Sequence, residues 1–153
     1  MSNPADATTM FYPSSGLTFL PEFPNVRHLD CQNNRLTHIP SFPKLEILVC
    51  MNNEIETIDP CPELKGLWCQ NNKLWELPRL DNLVTLYCEE NRLSSLPECP
   101  RLEVLSAADN SITHMPYYPK LREVSLYGNP VAARMRSPGD IKEYHRVFRP
   151  RHY

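Results

Sequence analysis

One spacing governs this chain, and it is 19 residues. The run from Pro43 to Ile55 (Pro-Lys-Leu-Glu-Ile-Leu-Val-Cys-Met-Asn-Asn-Glu-Ile) returns 19 positions later as Pro62 to Leu74 and 19 positions earlier as Pro24 to Leu36. A fixed period near 20 residues is too short for an independent domain and too regular for a linker. Each unit can bury its apolar side only against the next unit, so the chain must stack into a repeat array.

The register holds along the chain. One polar position reads Asn34, Asn53, Asn72, Asn91, Asn110 and Asn129. The central apolar position reads Leu29, Leu48, Leu67, Leu86, Leu105 and Val124. Two more inward positions carry Leu36, Ile55, Leu74, Leu93, Ile112 and Val131, and Ile39, Ile58, Leu77, Leu96 and Met115. The resulting pattern, L-x-x-L-x-C/L-x-x-N-x-L-x-x-L-P, resembles the leucine-rich repeat family over roughly residues 15–131. The short unit with Cys closing the strand is similar to repeats of certain bacterial effectors and large DNA viruses. That resemblance implies a mainly β solenoid, a horseshoe with a parallel concave sheet.

Local chemistry agrees with that outline. Leu-x-Cys and its flanks have room only for a short strand, with inward and outward side chains alternating. An Asn at the following turn is buried, so its amide must find backbone partners in neighbouring coils. The return Leu36-Thr37-His38-Ile39-Pro40-Ser41-Phe42-Pro43 is too short and too rich in proline for a helix. An extended convex side is therefore expected.

The whole chain, 1–153, reads as a single domain. Residues 5–23 form a degenerate first coil, with Met10 and Tyr12 at the central and Cys positions, and residues 1–4 are expected to be disordered. Residues 24–131 hold the repeats, and 132–153 a cap with a basic tail. In that tail Asp140 offers a helix N-cap with Glu143 three residues on, and Ile141, Tyr144 and Phe148 share one helical face. A short C-terminal capping helix is expected there.

Charge is unevenly spread. Residues 132–153 hold six Lys or Arg against Asp140 and Glu143, a balance of +4, which leaves −6 on the remainder of a chain of formal charge −2. An acidic body argues against nucleic acid binding along the repeats. Binding of nucleic acid or anionic lipid by the tail remains a weaker alternative. No apolar run approaches the ~20 residues that span a bilayer, and the first residues lack a secretory signal.

Cys31, Cys50, Cys69 and Cys88 share an inward position that Ala107 and Leu126 take in later coils, so the site wants a small-to-medium apolar group. Cys61 and Cys99 fall in a second inward row with Phe23, Phe42, Leu80 and Tyr118. Neighbouring cysteines ~4.8 Å apart across strands leave a disulfide open on distance alone. Buried free thiols are the expected state, placing the protein in a reducing, intracellular compartment: the cytoplasm, or a host cytoplasm or virion if viral.

Catalytic signatures are missing. Gly16, Gly66, Gly128 and Gly139 are too scattered for a phosphate loop, and no Ser sits in a nucleophile motif. His28, His38, His114, His145 and His152 make no metal-binding triplet with Asp or Glu. Similar effectors can carry a ligase domain, for which this chain has no length. Neither cofactor nor small-molecule substrate is expected, and the protein reads as non-enzymatic.

What remains is surface. Asp30, Val49, Trp68, Tyr87, Ser106 and Ser125 form the outward middle row of the strand face. The flanking rows are His28, Ile47, Gly66, Thr85, Val104 and Glu123, and Gln32, Met51, Gln70, Glu89, Ala108 and Tyr127. Ile47, Val49, Met51, Trp68, Tyr87 and Glu89 thus gather in one patch, suited to a partner protein with an apolar centre and a basic rim. The competing expectation is that these side chains only pack across strands. Trp75, on the return segment, either folds over the coil edge or marks a second contact. The sequence therefore points to a protein-binding module working through its concave face. The alternative is a structural component fixed in a larger assembly, such as a virus particle.

Overall fold

The structure is a computed structural model that describes residues 6–134. The capping helix expected within 132–153, and residues 1–4 expected to be disordered, lie outside the described residues.

Among the described residues, seven strands of three residues each form one parallel sheet: β1 (Thr9–Phe11), β2 (His28–Asp30), β4 (Ile47–Val49), β6 (Gly66–Trp68), β7 (Thr85–Tyr87), β8 (Val104–Ser106) and β9 (Glu123–Ser125). Two shorter strands, β3 (His38–Ile39) and β5 (Thr57–Ile58), pair on the return side. Each main strand pairs with the next in a register that puts Met10, Leu29, Leu48, Leu67, Leu86, Leu105 and Val124 in one inward line. The 19-residue period is thus the length of one coil. Strands run parallel because each coil completes a full circuit before the next strand begins.

Before each strand of the main sheet from β2 onward the chain makes the same tight turn, an N–H three residues on returning to a carbonyl: Val26 to Phe23, Leu45 to Phe42, Leu64 to Cys61, and so on to Leu121 and Tyr118. Pro24, Pro43, Pro62, Pro100 and Pro119 hold the second position of these turns, where the fixed φ of proline is already correct. After each strand of the main sheet from β2 onward a buried or half-buried Asn ties two coils together. Asn72 donates to the carbonyls of Cys50, Cys69 and Gln70 and accepts from the N–H of Ile55. Asn34, Asn53, Asn91, Asn110 and Asn129 repeat the arrangement. The expected amide ladder is present.

The returns are extended, as expected, and among the described residues one pair of them forms a ladder. Asp59 donates its N–H to the carbonyl of Ile39 at 2.9 Å, closing the β3–β5 pair. The equivalent residues in the next coils are Pro78, Pro97 and Pro116, which have no N–H to give. Proline stops the second sheet from spreading.

The core is a continuous column. Leu29, Leu48, Leu67 and Leu86 are buried, as are Cys31, Cys50, Cys69 and Cys88, and all six cysteines are free thiols. Phe23, Phe42, Cys61, Leu80, Cys99 and Tyr118 fill the second inward row. After Asn129 a 3-10 turn, Pro130–Arg134, buries Val131, whose N–H reaches the carbonyl of Ile112 at 2.9 Å. Among the described residues no helix is long and apolar enough to cross a membrane.

Candidate functional site

The strand register puts Phe11, Asp30, Val49, Trp68, Tyr87, Ser106 and Ser125 side by side across the outward sheet face. Val49, Trp68 and Tyr87 are therefore neighbours, with Ile47 beside Val49 on β4 and Met51 just beyond it. Ile47, Val49, Met51, Trp68, Tyr87 and Glu89 are all partly buried rather than fully open, because adjacent rows cover one another.

Trp68 and Tyr87 stack, with ring centroids 5.9 Å apart and planes 11° from parallel. The indole lies back along its own strand over Gly66. A Cβ on Gly66 would stand 2.5 Å from Trp68 Cζ3 and 2.9 Å from Cη2. The missing side chain at residue 66 is what lets the indole lie flat. Cross-strand packing and a presented aromatic surface are here the same arrangement.

The two margins of the face differ in charge. On the side preceding the strands, Arg27, Glu46 and Lys65 stand 19 apart and pair, at 3.0 Å for Arg27–Glu46 and 3.6 Å for Lys65–Glu46, and Arg122 pairs with Glu103. That margin neutralises itself. On the opposite margin stand Glu89, Glu90 and Asp109, with no cationic partner among the described residues. Glu89 accepts from the Ser106 hydroxyl through Oε1, while its Oε2 is withdrawn from water without a donor, and so is Oε1 of Gln70. Asp30 is held by the backbone N–H and the side-chain amide of Gln32 at 3.1 and 3.0 Å.

Two features escaped sequence reasoning. Phe11 continues the middle row beyond Asp30 and is 70% exposed, which the position of Met10 in the repeat phase already implied. A second column of turn residues, Ser14, Asn33, Asn52, Asn71, Glu90 and Asp109, takes positive φ between 51° and 57°. Exposed amides link three of them, Asn71 Nδ2 to Asn52 Oδ1 at 2.9 Å and Asn52 Nδ2 to Asn33 Oδ1 at 2.8 Å. The signal was the repeated Asn-Asn at 33–34, 52–53 and 71–72.

On the return side Trp75 is 53% exposed. His38, exposed on the same side, contacts Thr57 Oγ1 at 2.8 Å through Nδ1 and Asp59 Oδ2 at 3.1 Å through Nε2. No group of three or more His, Cys, Asp or Glu able to hold a metal ion occurs among the described residues.

A family model described as leucine rich repeats (2 copies) matches residues 24–61 and 43–82, which include Ile47, Val49, Met51 and Trp68 of the patch. The chain is a leucine-rich-repeat protein. It is similar to YopM from Yersinia enterocolitica WA-314, with 32% identity and a TM-score of 0.76 over 80% of this chain and 29% of that one. It is also similar to YopM of Yersinia pestis, a leucine-rich effector protein, with 26% identity and a TM-score of 0.60 over 83% of this chain and 48% of that one. This leucine-rich-repeat chain thus spans less than a third of the first of these neighbours and about half of the second. No match occurs among curated protein sequences.

Proposed function

We propose that this leucine-rich-repeat chain is a non-enzymatic protein-binding module whose concave sheet face grips a partner protein at Ile47, Val49, Met51, Trp68, Tyr87 and Glu89. The observation that carries the reading is the Trp68–Tyr87 stack in the middle of the face. Trp and Tyr are the side chains that most often dominate binding energy, and here they are already ordered before a partner arrives. One margin of the face is self-paired and the other carries uncompensated carboxylates. A partner with an apolar centre and a basic rim fits that distribution.

The similarity to a leucine-rich effector protein supports the same class of role, and six free, buried thiols suit a reducing, intracellular setting. The test is affinity capture from candidate host or cognate extracts with the full chain and with the Trp68→Ala/Tyr87→Ala variant. Proteins retained by the first and lost by the second, with both chains equally folded by circular dichroism, are the expected result. Identical captured sets would overturn the reading.

A further inference from the structure

We propose that the site made by Trp68, Tyr87, Glu89 and Gln70 receives an arginine side chain of the partner protein. This deepens the protein-binding reading above and rests on it. The first observation is the pair of orphaned acceptors: Glu89 Oε2 and Gln70 Oε1 both lie out of contact with water and have no donor. A carboxylate oxygen left so is destabilised until a donor reaches it. The two residues hold the same repeat position on successive coils, each two residues beyond the aromatic of its strand, which sets their backbones about 4.8 Å apart, one strand spacing.

The second observation is the place of the carboxylate. Its other oxygen holds the hydroxyl of Ser106, and Ser106 pairs with Tyr87 in the sheet register. The charge therefore sits at the end of the aromatic stack, with Trp68 on the far side of Tyr87. A cation that stacks on an aromatic face while giving N–H groups to a carboxylate is a guanidinium. Its plane suits the rings, and its fork of donors suits two acceptors, whereas a lysine ammonium offers neither.

The third observation is the surrounding field. Glu90 and Asp109 stand exposed on the same margin without a cationic partner among the described residues, so they draw a basic group toward this side of the face. Reaching the two acceptors requires the ends of the Glu89 and Gln70 side chains to turn outward, a rotamer change common at interfaces.

The experiment uses the full chain carrying Trp75→Phe, so that emission reports Trp68 alone. It is titrated with acetyl-Ala-Arg-Ala-amide and with the same peptide carrying lysine or citrulline. The expected result is a saturable change with arginine, weaker by about tenfold or more with the uncharged citrulline isostere and weaker by a smaller factor with lysine. Glu89→Gln, which keeps the bond to Ser106, should weaken arginine binding by about tenfold without changing the melt. Equal binding of citrulline overturns the proposal. So does an unchanged affinity in Glu89→Gln, the result if the Gln70 amide donates to Glu89 within the chain. If Glu89→Gln retains the proteins that Trp68→Ala/Tyr87→Ala loses, the arginine site falls and the protein-binding reading stands. If the arginine peptide binds but captured proteins do not depend on Trp68 and Tyr87, the reverse holds.

Discussion

Gly66 is bare where Trp68 lies: a Cβ on Gly66 would stand 2.5 Å from the indole Cζ3. The two residues are on one strand and point to the same face, two positions apart. Gly66→Ala should therefore push the ring off the sheet while leaving the backbone in place. In a Trp75→Phe background its emission should shift to the red, and the stack on Tyr87 should break. The stability cost should stay within about 1 kcal/mol, because a side-chain end can move where a packed core cannot. Unchanged emission would mean that the indole does not lie over residue 66.

Glu90 occupies a position built for another residue. Its φ of 55° lies in the left-handed region, where Asn33, Asn52 and Asn71 precede it in the same column. Side chains other than Gly, Asn and Asp are disfavoured there. Glu90→Asn should relieve that cost and extend the amide chain by a bond to Asn71, raising stability by about 0.5–1 kcal/mol in chemical denaturation. It also removes a carboxylate from the acidic margin, so a more stable chain that binds a basic partner less well is the expected pairing. A loss of stability would show that the column does not govern the turn.

The thiols make the protein sensitive to alkali. Burial pushes Cys31 and Cys99 from an ordinary 9.0 up to about 12, with Asp30 adding to the shift at Cys31 and the N–H of Leu80 opposing it at Cys99. Burial also raises Cys50, Cys69 and Cys88 well above the ordinary value, with neighbouring thiols next in effect. Groups raised in the folded state hold their neutral form there, so their contribution is intact below the unfolded pKa. It is lost as pH climbs above about 9, at about 1.4 kcal/mol per pH unit for each such thiol. The melting temperature should be nearly flat from about pH 6 to 8 and fall steeply beyond 9. Cys69→Ala should make that fall shallower, since Ala107 already fills the same row. An intact mass short of two protons per pair, or stability unchanged at pH 11, would be incompatible with a column of buried thiols.

How far the sequence reached follows from what a period can encode. A strict spacing of 19 specifies which residues stack on which, so the rows through Leu67, Cys69, Trp68 and Asn72 were legible in full. A period does not specify side-chain rotamers. That Trp68 leans over Gly66, and that Glu89 turns to Ser106 and leaves one oxygen bare, depends on torsions that register leaves open. Departures from the repeat were also hard to weigh. The single β3–β5 ladder exists because Asp59 replaces a proline, a local difference that matters only once the neighbouring carbonyl is known to face it.

Asn72 gives the strongest test of how the coils are joined. Its amide donates to the carbonyls of Cys50, Cys69 and Gln70 at 3.0, 3.1 and 3.3 Å, and its oxygen accepts from Ile55 at 3.0 Å. The Cys50 and Ile55 bonds reach the preceding coil. Asn72→Ala removes all four bonds; the carbonyls of Cys50, Cys69 and Gln70 keep a second donor in Asn53, Asn91 and the N–H of Asn52, but the buried N–H of Ile55 is left with no partner, at about 1–3 kcal/mol. With the three lost carbonyl bonds added to that stranded N–H, a total loss of about 2 kcal/mol or more is expected, above an ordinary surface substitution. Because each coil touches only its neighbours, the loss should also divide the array. Hydrogen exchange should show amides before residue 72 opening separately from those after it. Asn33→Ala, one position earlier in its own coil and exposed, should cost far less, since it gives up one bond to Asn52 and leaves nothing buried unpaired. Equal costs for the two would mean that the buried amide column does not join the coils.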